Sequence, residues 1–150
     1  QAILTIRQIS AGLDWRLQEE IVLREIANVK QIKGEPRRRW FSSESMDLFV
    51  WQNYLDEVVR YQLTYNKPHN EKALTWHTKT GFLHLSVDDG FNPGKHPGSP
   101  LLKADGELNA PKLLTLINNN SGDLEASIKE FIVSGVKAKY LKSNELKQKV

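Results

Sequence analysis

DLFVWQ (47–52), VVRYQLTY (58–65), KALTWHTK (72–79) and FLHLSVDD (82–89) are four runs in which large apolar and polar residues alternate at period two. They lie in a stretch, residues 37–89, that carries three of the four tryptophans of the chain. Turn-forming residues bound each run, so the stretch reads as two consecutive β-hairpins of a half-buried antiparallel sheet. In the first, Asp47–Gln52 and Val58–Tyr65 are the strands and residues 53–57 the loop. NKPHNE then breaks the alternation as a turn. In the second, a two-residue Thr80-Gly81 loop predicts Trp76 opposite Leu85 and Leu74 opposite Val87 on one face. It sets His77 against His84 and Thr75 against Ser86 on the other. A three-residue loop would set Trp76 against His84 and mix the faces, and a slip of one residue moves every side chain across the sheet.

Composition narrows the class. At 150 residues the chain can bury a real core in one domain. A hydrophobic fraction of 39% with four tryptophans argues against disorder. The absence of cysteine excludes disulfides and thiolate metal sites and favours a reducing, cytoplasmic setting. No apolar run is long enough to span a bilayer. A net charge of +3 is too small and diffuse to indicate nucleic-acid binding by itself.

The flanks predict helices. Asp14 can cap an amphipathic helix over 14–30, with Trp15, Val22, Ile26 and Val29 on one face. Gly34 and Pro36 follow it. Residues 90–100 form a Gly/Pro loop, and Leu101 and Leu102 a short buried strand. Asn109 caps a helix carrying Leu113, Leu114, Leu116 and Ile117, ended by residues 118–120. A second helix follows Ser121-Gly122-Asp123 with Leu124, Ile128, Phe131 and Ile132 as its stripe. The last dozen residues are a Lys-rich tail.

Three groups of residues invite a chemical reading, and three further stretches do not carry one. In the register above, His77 and His84 are cross-strand neighbours, with Asp88 and Asp89 at the strand end and His96 on the next loop. Two imidazoles and a carboxylate could hold a divalent metal for hydrolysis. Arg60 and Gln62 project toward that same polar face, which could orient a small anion or a partner's backbone. Arg37, Arg38, Arg39 and Trp40, with Phe41, could pair with phosphates and stack on a base. NPGKHPGS (92–99) fails the P-loop order. Ser42, Ser43 and Ser45 sit in no nucleophile motif, and the short Asp105-Gly106-Glu107 run reads as a turn.

The strings EPRRRWF, DLFVW, YQLTYNKP, ALTW, the GFxH of Gly81–His84 and VDDG, in that order, resemble a family of short uncharacterised proteobacterial proteins. The resemblance covers roughly Lys33 to Lys103. It implies a compact bacterial domain and nothing catalytic. It also implies a start near VKQIKGEP, with Val29 as an alternative start and residues 1–28 as an upstream extension.

The expected architecture is α+β: a four-stranded antiparallel meander with the C-terminal helices packed on one face, plus an N-terminal helix. Its parts are an extension or helix over 1–28, a domain over 29–136 and a tail over 137–150. The expected core is Trp51, Val59, Tyr61, Leu63, Leu74, Trp76, Leu85, Val87, Leu114, Ile128 and Phe131. The expected function is a non-enzymatic binding or regulatory module for a protein or small anionic ligand, without cofactor or resident metal. The alternatives are a metal-assisted hydrolase using His77, His84 and Asp88, and a single-stranded nucleic-acid binder using Arg37–Phe41.

Overall fold

The computed structural model describes residues 22–88, 101–104 and 108–141. Among the described residues seven strands form one antiparallel sheet in sequence order: β1 (Arg24–Glu25), β2 (Arg37–Ser42), β3 (Asp47–Gln52), β4 (Val58–Tyr65), β5 (Lys72–His77), β6 (Gly81–Asp88) and β7 (Leu101–Ala104). Two helices follow, α1 (Ala110–Asn119) and α2 (Ala126–Val136), and a π-helical turn (Lys137–Leu141) continues the second. The α+β class and the meander agree with expectation, and β3 and β4 have the predicted limits. The sheet is wider than four strands, because RRRWFS is itself a strand and β1 and β7 extend the two sides. The Gln31 side chain completes the outer edge of β2 beyond the reach of β1. Its carbonyl accepts from the Arg38 N–H (2.8 Å) and its amide donates to the Arg38 carbonyl (2.7 Å), so a side chain takes the place of a neighbouring strand.

The second hairpin departs from the predicted register. Its loop is Thr78–Thr80, and the pairs are Trp76 with Phe82, Thr75 with Leu83, Leu74 with His84 and Ala73 with Leu85. Gly81 closes the loop at φ +78°, the left-handed conformation that favours glycine after a three-residue turn. The shift is an odd number of positions relative to the expected pairing, so the residues of β6 exchange faces. His84 therefore joins the core side, and Leu85 and Val87, expected in the core, lie on the opposite face.

Successive side chains of a strand point to opposite sides of the sheet, so parity sorts the two faces strand by strand. One inward row runs Phe41, Leu48, Leu63, Leu74, His84, and the next Arg39, Val50, Tyr61, Trp76, Phe82. The helices cover these rows. Leu113, Leu114, Ile117, Ile128, Ile132 and Val136 share one buried cluster with Phe41, Leu48, Val50 and Leu63. Phe131, expected in the core, is 38% exposed, but its edge meets the rings of Trp76 and Tyr61. Val50, fully buried, takes the place predicted for Trp51. A bulge opposite Trp51 and Gln52 leaves Val59 as the extra residue, and Val58 packs on the core in its stead. Tyr140 of the π turn packs edge-on against Phe82, so the folded body runs past residue 136 into the expected tail.

Asn109 caps α1 as predicted, its Oδ1 accepting from the Lys112 N–H at 3.2 Å. The connection from α1 to α2 then grips the start of the described chain. The Leu23 N–H donates to the Asn120 carbonyl (2.9 Å) and the Leu23 carbonyl accepts from the Asp123 N–H (2.8 Å). Leu23 is 1% exposed. Gly122, at φ +44°, allows the approach, since a Cβ there would collide with the Leu23 carbonyl oxygen. Residues 22–30 are accordingly not the second half of a helix over 14–30. Pairing of Leu23, Arg24 and Glu25 to distant backbone overrides their local helical spacing. Trp15 and the rest of that expected helix lie outside the described residues.

Leu23 belongs to the core, so Leu23→Ala should cost about 2–5 kcal/mol, the range for truncating a buried leucine. A urea midpoint equal to that of the parent chain would show instead that this segment is a dispensable extension.

Candidate functional site

The sheet face opposite the helices brings together residues from all three sequence candidates. Cross-strand pairing sets Arg38, Trp51, Arg60 and His77 side by side in one row. The adjacent row is Trp40, Phe49, Gln62, Thr75, Leu83, and the next begins Ser42, Asp47, Thr64. Arg60, Gln62 and His77 thus share a face as predicted, and Arg38 and Trp40 join them there. Phe49 and Trp51 complete the surface. DLFVW is apolar at every central position, so alternation does not say which of its rings faces outward, and the expectation of Trp51 in the core is corrected here.

The aromatic rings are arranged as cross-strand stacks. Trp40 and Phe49 lie 5.4 Å apart with planes 12° from parallel, and Phe49 is 6.2 Å from Trp51. The Arg60 guanidinium sits 4.4 Å above the Trp51 ring, within cation–π range. All three rings are half-buried and Arg60 is exposed. Asp47 fixes one end of the stack. Its Oδ1 accepts from Trp40 Nε1 (2.9 Å) and the Ser42 hydroxyl (2.6 Å), and Lys67 pairs with its Oδ2. At the other end His77 Nδ1 accepts from the Lys79 N–H (3.0 Å). In the neutral ring the proton then sits on Nε2.

The remaining candidates separate. His84 is buried on the helix side, where its Nε2 lies 2.6 Å from the Tyr65 hydroxyl and the two rings stack. The expected His77–His84 pair does not form, because the sheet lies between them. Asp88 pairs with Leu101 in the β6–β7 ladder, and Asp89 and His96 lie outside the described residues. Among the described residues no three His, Asp or Glu side chains come together as a metal set. Arg37 and Arg39 sit on the opposite parity from Arg38, so the arginine run does not present a single face of the sheet.

Arg39 is the centre of a clamp. Its Nε and Nη2 form a fork on the Glu25 carboxylate at 2.7 and 2.8 Å, Nη2 also meets Glu125 at 2.9 Å, and Nη1 reaches Gln52 Oε1 at 3.3 Å. Arg37 donates to the same Gln52 oxygen at 3.1 Å. Hydrogen bonding from Arg39 holds the Glu25 carboxyl below its usual range, and the two glutamates hold the guanidinium firmly protonated. A groove of about 650 Å³ lies beside the clamp, lined by Ile26, Asn28, Val29 and Gln31 together with the three arginines and both glutamates.

No protein-family model, no curated protein and no solved structure matches the chain. Among the described residues no helix is long and apolar enough to cross a membrane.

Two outcomes check this geometry. His84→Ala should cost about 2 kcal/mol or more, through a lost buried hydrogen bond and a cavity, whereas His77→Ala should stay within about 0.5 kcal/mol. Equal losses in the two urea midpoints would mean that the histidines share an environment. The Glu25 carboxyl is lower in the fold than its ordinary 4.5. Its contribution is therefore present above that pH and lost as pH falls through the folded value. Glu25→Gln should flatten the acid side of the stability profile below about pH 4.5, and an unchanged acid limb would show that the fork adds nothing.

Proposed function

We propose that the chain is a non-enzymatic binding module that receives a single-stranded nucleic acid across the outer face of its sheet. The observation that carries this reading is the row Arg38, Trp51, Arg60, His77 beside the stacked Trp40 and Phe49. Single-strand binders combine guanidinium groups for phosphates with aromatic faces for bases, since every base offers a π-face whatever its sequence. Gln62 and Thr75, in the middle of the second row, add hydrogen-bonding groups between the rings and His77. The non-enzymatic part rests on how the hydroxyls are engaged. Ser42 donates to Asp47, and Thr75 is directed to the Leu83 carbonyl. The Asp47 carboxylate is already held by the Trp40 indole and Lys67, and neither hydroxyl is hydrogen-bonded to an imidazole.

The metal-assisted alternative loses its support because its two imidazoles occupy opposite faces. A general anion-binding reading accounts for Arg38 and Arg60 but leaves the three outward rings without a role.

Labelled single-stranded DNA and RNA, titrated by fluorescence anisotropy over a range of salt, test the proposal. Binding should weaken linearly in log salt, and Arg60→Ala should reduce the magnitude of that slope by about 0.7, one phosphate contact on a single strand. Trp51→Ala should weaken binding by about 1–3 kcal/mol with the slope unchanged. No detectable binding of either polymer at low salt, or an Arg60→Ala slope equal to that of the parent, would sink the reading.

A further inference from the structure

We infer that Tyr54, at the tip of the β3–β4 hairpin, is a further base-stacking residue that extends the binding face beyond the edge of the sheet. This rests on the nucleic-acid reading of the outer face. Tyr54 is 93% exposed and Leu55 62%, the two most exposed large apolar side chains among the described residues. The backbone beneath them is closed by hydrogen bonds. Asn53 and Glu57 pair through N–H to carbonyl at 3.0 Å, and the Asp56 N–H donates to the Asn53 carbonyl at 3.0 Å. Asn53 Oδ1 accepts from the N–H groups of Leu55 (2.9 Å) and Glu57 (3.0 Å). Gln52, only 4% exposed, donates to the Asp56 carbonyl at 3.0 Å while accepting from Arg37 and Arg39. The tip is thus tied through one buried amide to the arginine clamp.

Position points to the ligand. Trp51 is the outermost ring of the row, and Tyr54 follows it by three residues, at most roughly 11 Å of chain. Arg60 flanks the same hairpin on the returning strand and Arg38 the neighbouring one. Along β3 the outward rings are Phe49 and Trp51, and Tyr54 is the next aromatic residue, in the loop that joins β3 to the strand carrying Arg60. Tyrosine presents a large flat surface with few torsions to immobilise, so stacking there loses little conformational entropy.

The experiment compares Tyr54→Ala, Tyr54→Phe and the parent chain, using homopolymeric oligonucleotides of about 4 to 16 nucleotides. Tyr54→Ala should weaken binding of the longer oligonucleotides by about 5- to 150-fold, the effect of losing one stacked base. It should leave the shortest ones, held on the sheet alone, unchanged, and Tyr54→Phe should bind like the parent. Its exposure means that neither variant should alter the urea midpoint, which verifies folding. Binding that depends on Arg60 but is unchanged by Tyr54→Ala at every length would overturn this inference alone. Failure of the parent chain to bind any oligonucleotide would overturn the outer-face reading with it. A Tyr54→Phe variant as weak as Tyr54→Ala would also overturn it, because the hydroxyl and not the ring would then be the contact.

Discussion

Four separate parts of the chain meet at the Arg39 guanidinium of β2. Glu25 of β1, Gln52 at the end of β3 and Glu125 at the start of α2 all reach it within 3.3 Å. Its side chain is only 11% exposed, so these partners satisfy a charge with little access to water. Removing one partner from such a site costs more than a surface ion pair is worth, because the charge stays behind. The fork on Glu25 is bidentate, which fixes direction as well as distance. The arrangement ties the short β1 to the sheet and the start of α2 to the same edge. Through Gln52 it also sets the β3–β4 loop. The Arg39 ring contact with Phe41, at 5.1 Å, continues the clamp into the core.

Parity carries the rest. In an antiparallel meander each residue's face follows from its register, so one glycine decides the placement of every residue of β6. Gly81 at φ +78° ends a three-residue loop. That choice buries His84 against Tyr65 and leaves Leu83 half exposed. Matching like with like across the strands predicts the reverse, because it counts His84 as a solvent residue. The stacked contact with Tyr65 and the hydrogen bond to its hydroxyl offset the cost of burying an imidazole.

The legible parts of the fold are those encoded by local signals. The limits of β3 and β4, the Asn109 cap and the two C-terminal helices follow from turn residues, capping chemistry and helical spacing. β1 is illegible because two residues carry no period, and their pairing partners are distant in sequence. β2 is obscured by its arginines, whose charge masks an alternation that places Arg39 and Phe41 inward and Arg38 and Trp40 outward. The bulge at Val59 leaves no trace in a run of two valines. Half of the candidate face is readable, since Arg60 and Gln62 alternate within a strand of correct limits and His77 within one that ends two residues earlier than expected. Phe49 and Trp51 are not, because a strand apolar on both faces gives no sign of which side is buried.

On the nucleic-acid reading, the way the outer rings are held matters as much as their number. Trp40, Phe49 and Trp51 stand on strands, not loops, and each already has a partner: Asp47 for the Trp40 indole, Phe49 between the two tryptophans, and Arg60 over Trp51. Their rotamers are set before any ligand arrives, so little side-chain entropy remains to be lost on binding. The cation–π contact has a second consequence. It holds the Arg60 guanidinium over the ring, and a guanidinium in that pose offers its own plane to a base and its N–H edge to a phosphate. A base can then add to the existing stack instead of displacing it, so stability and recognition draw on the same contacts.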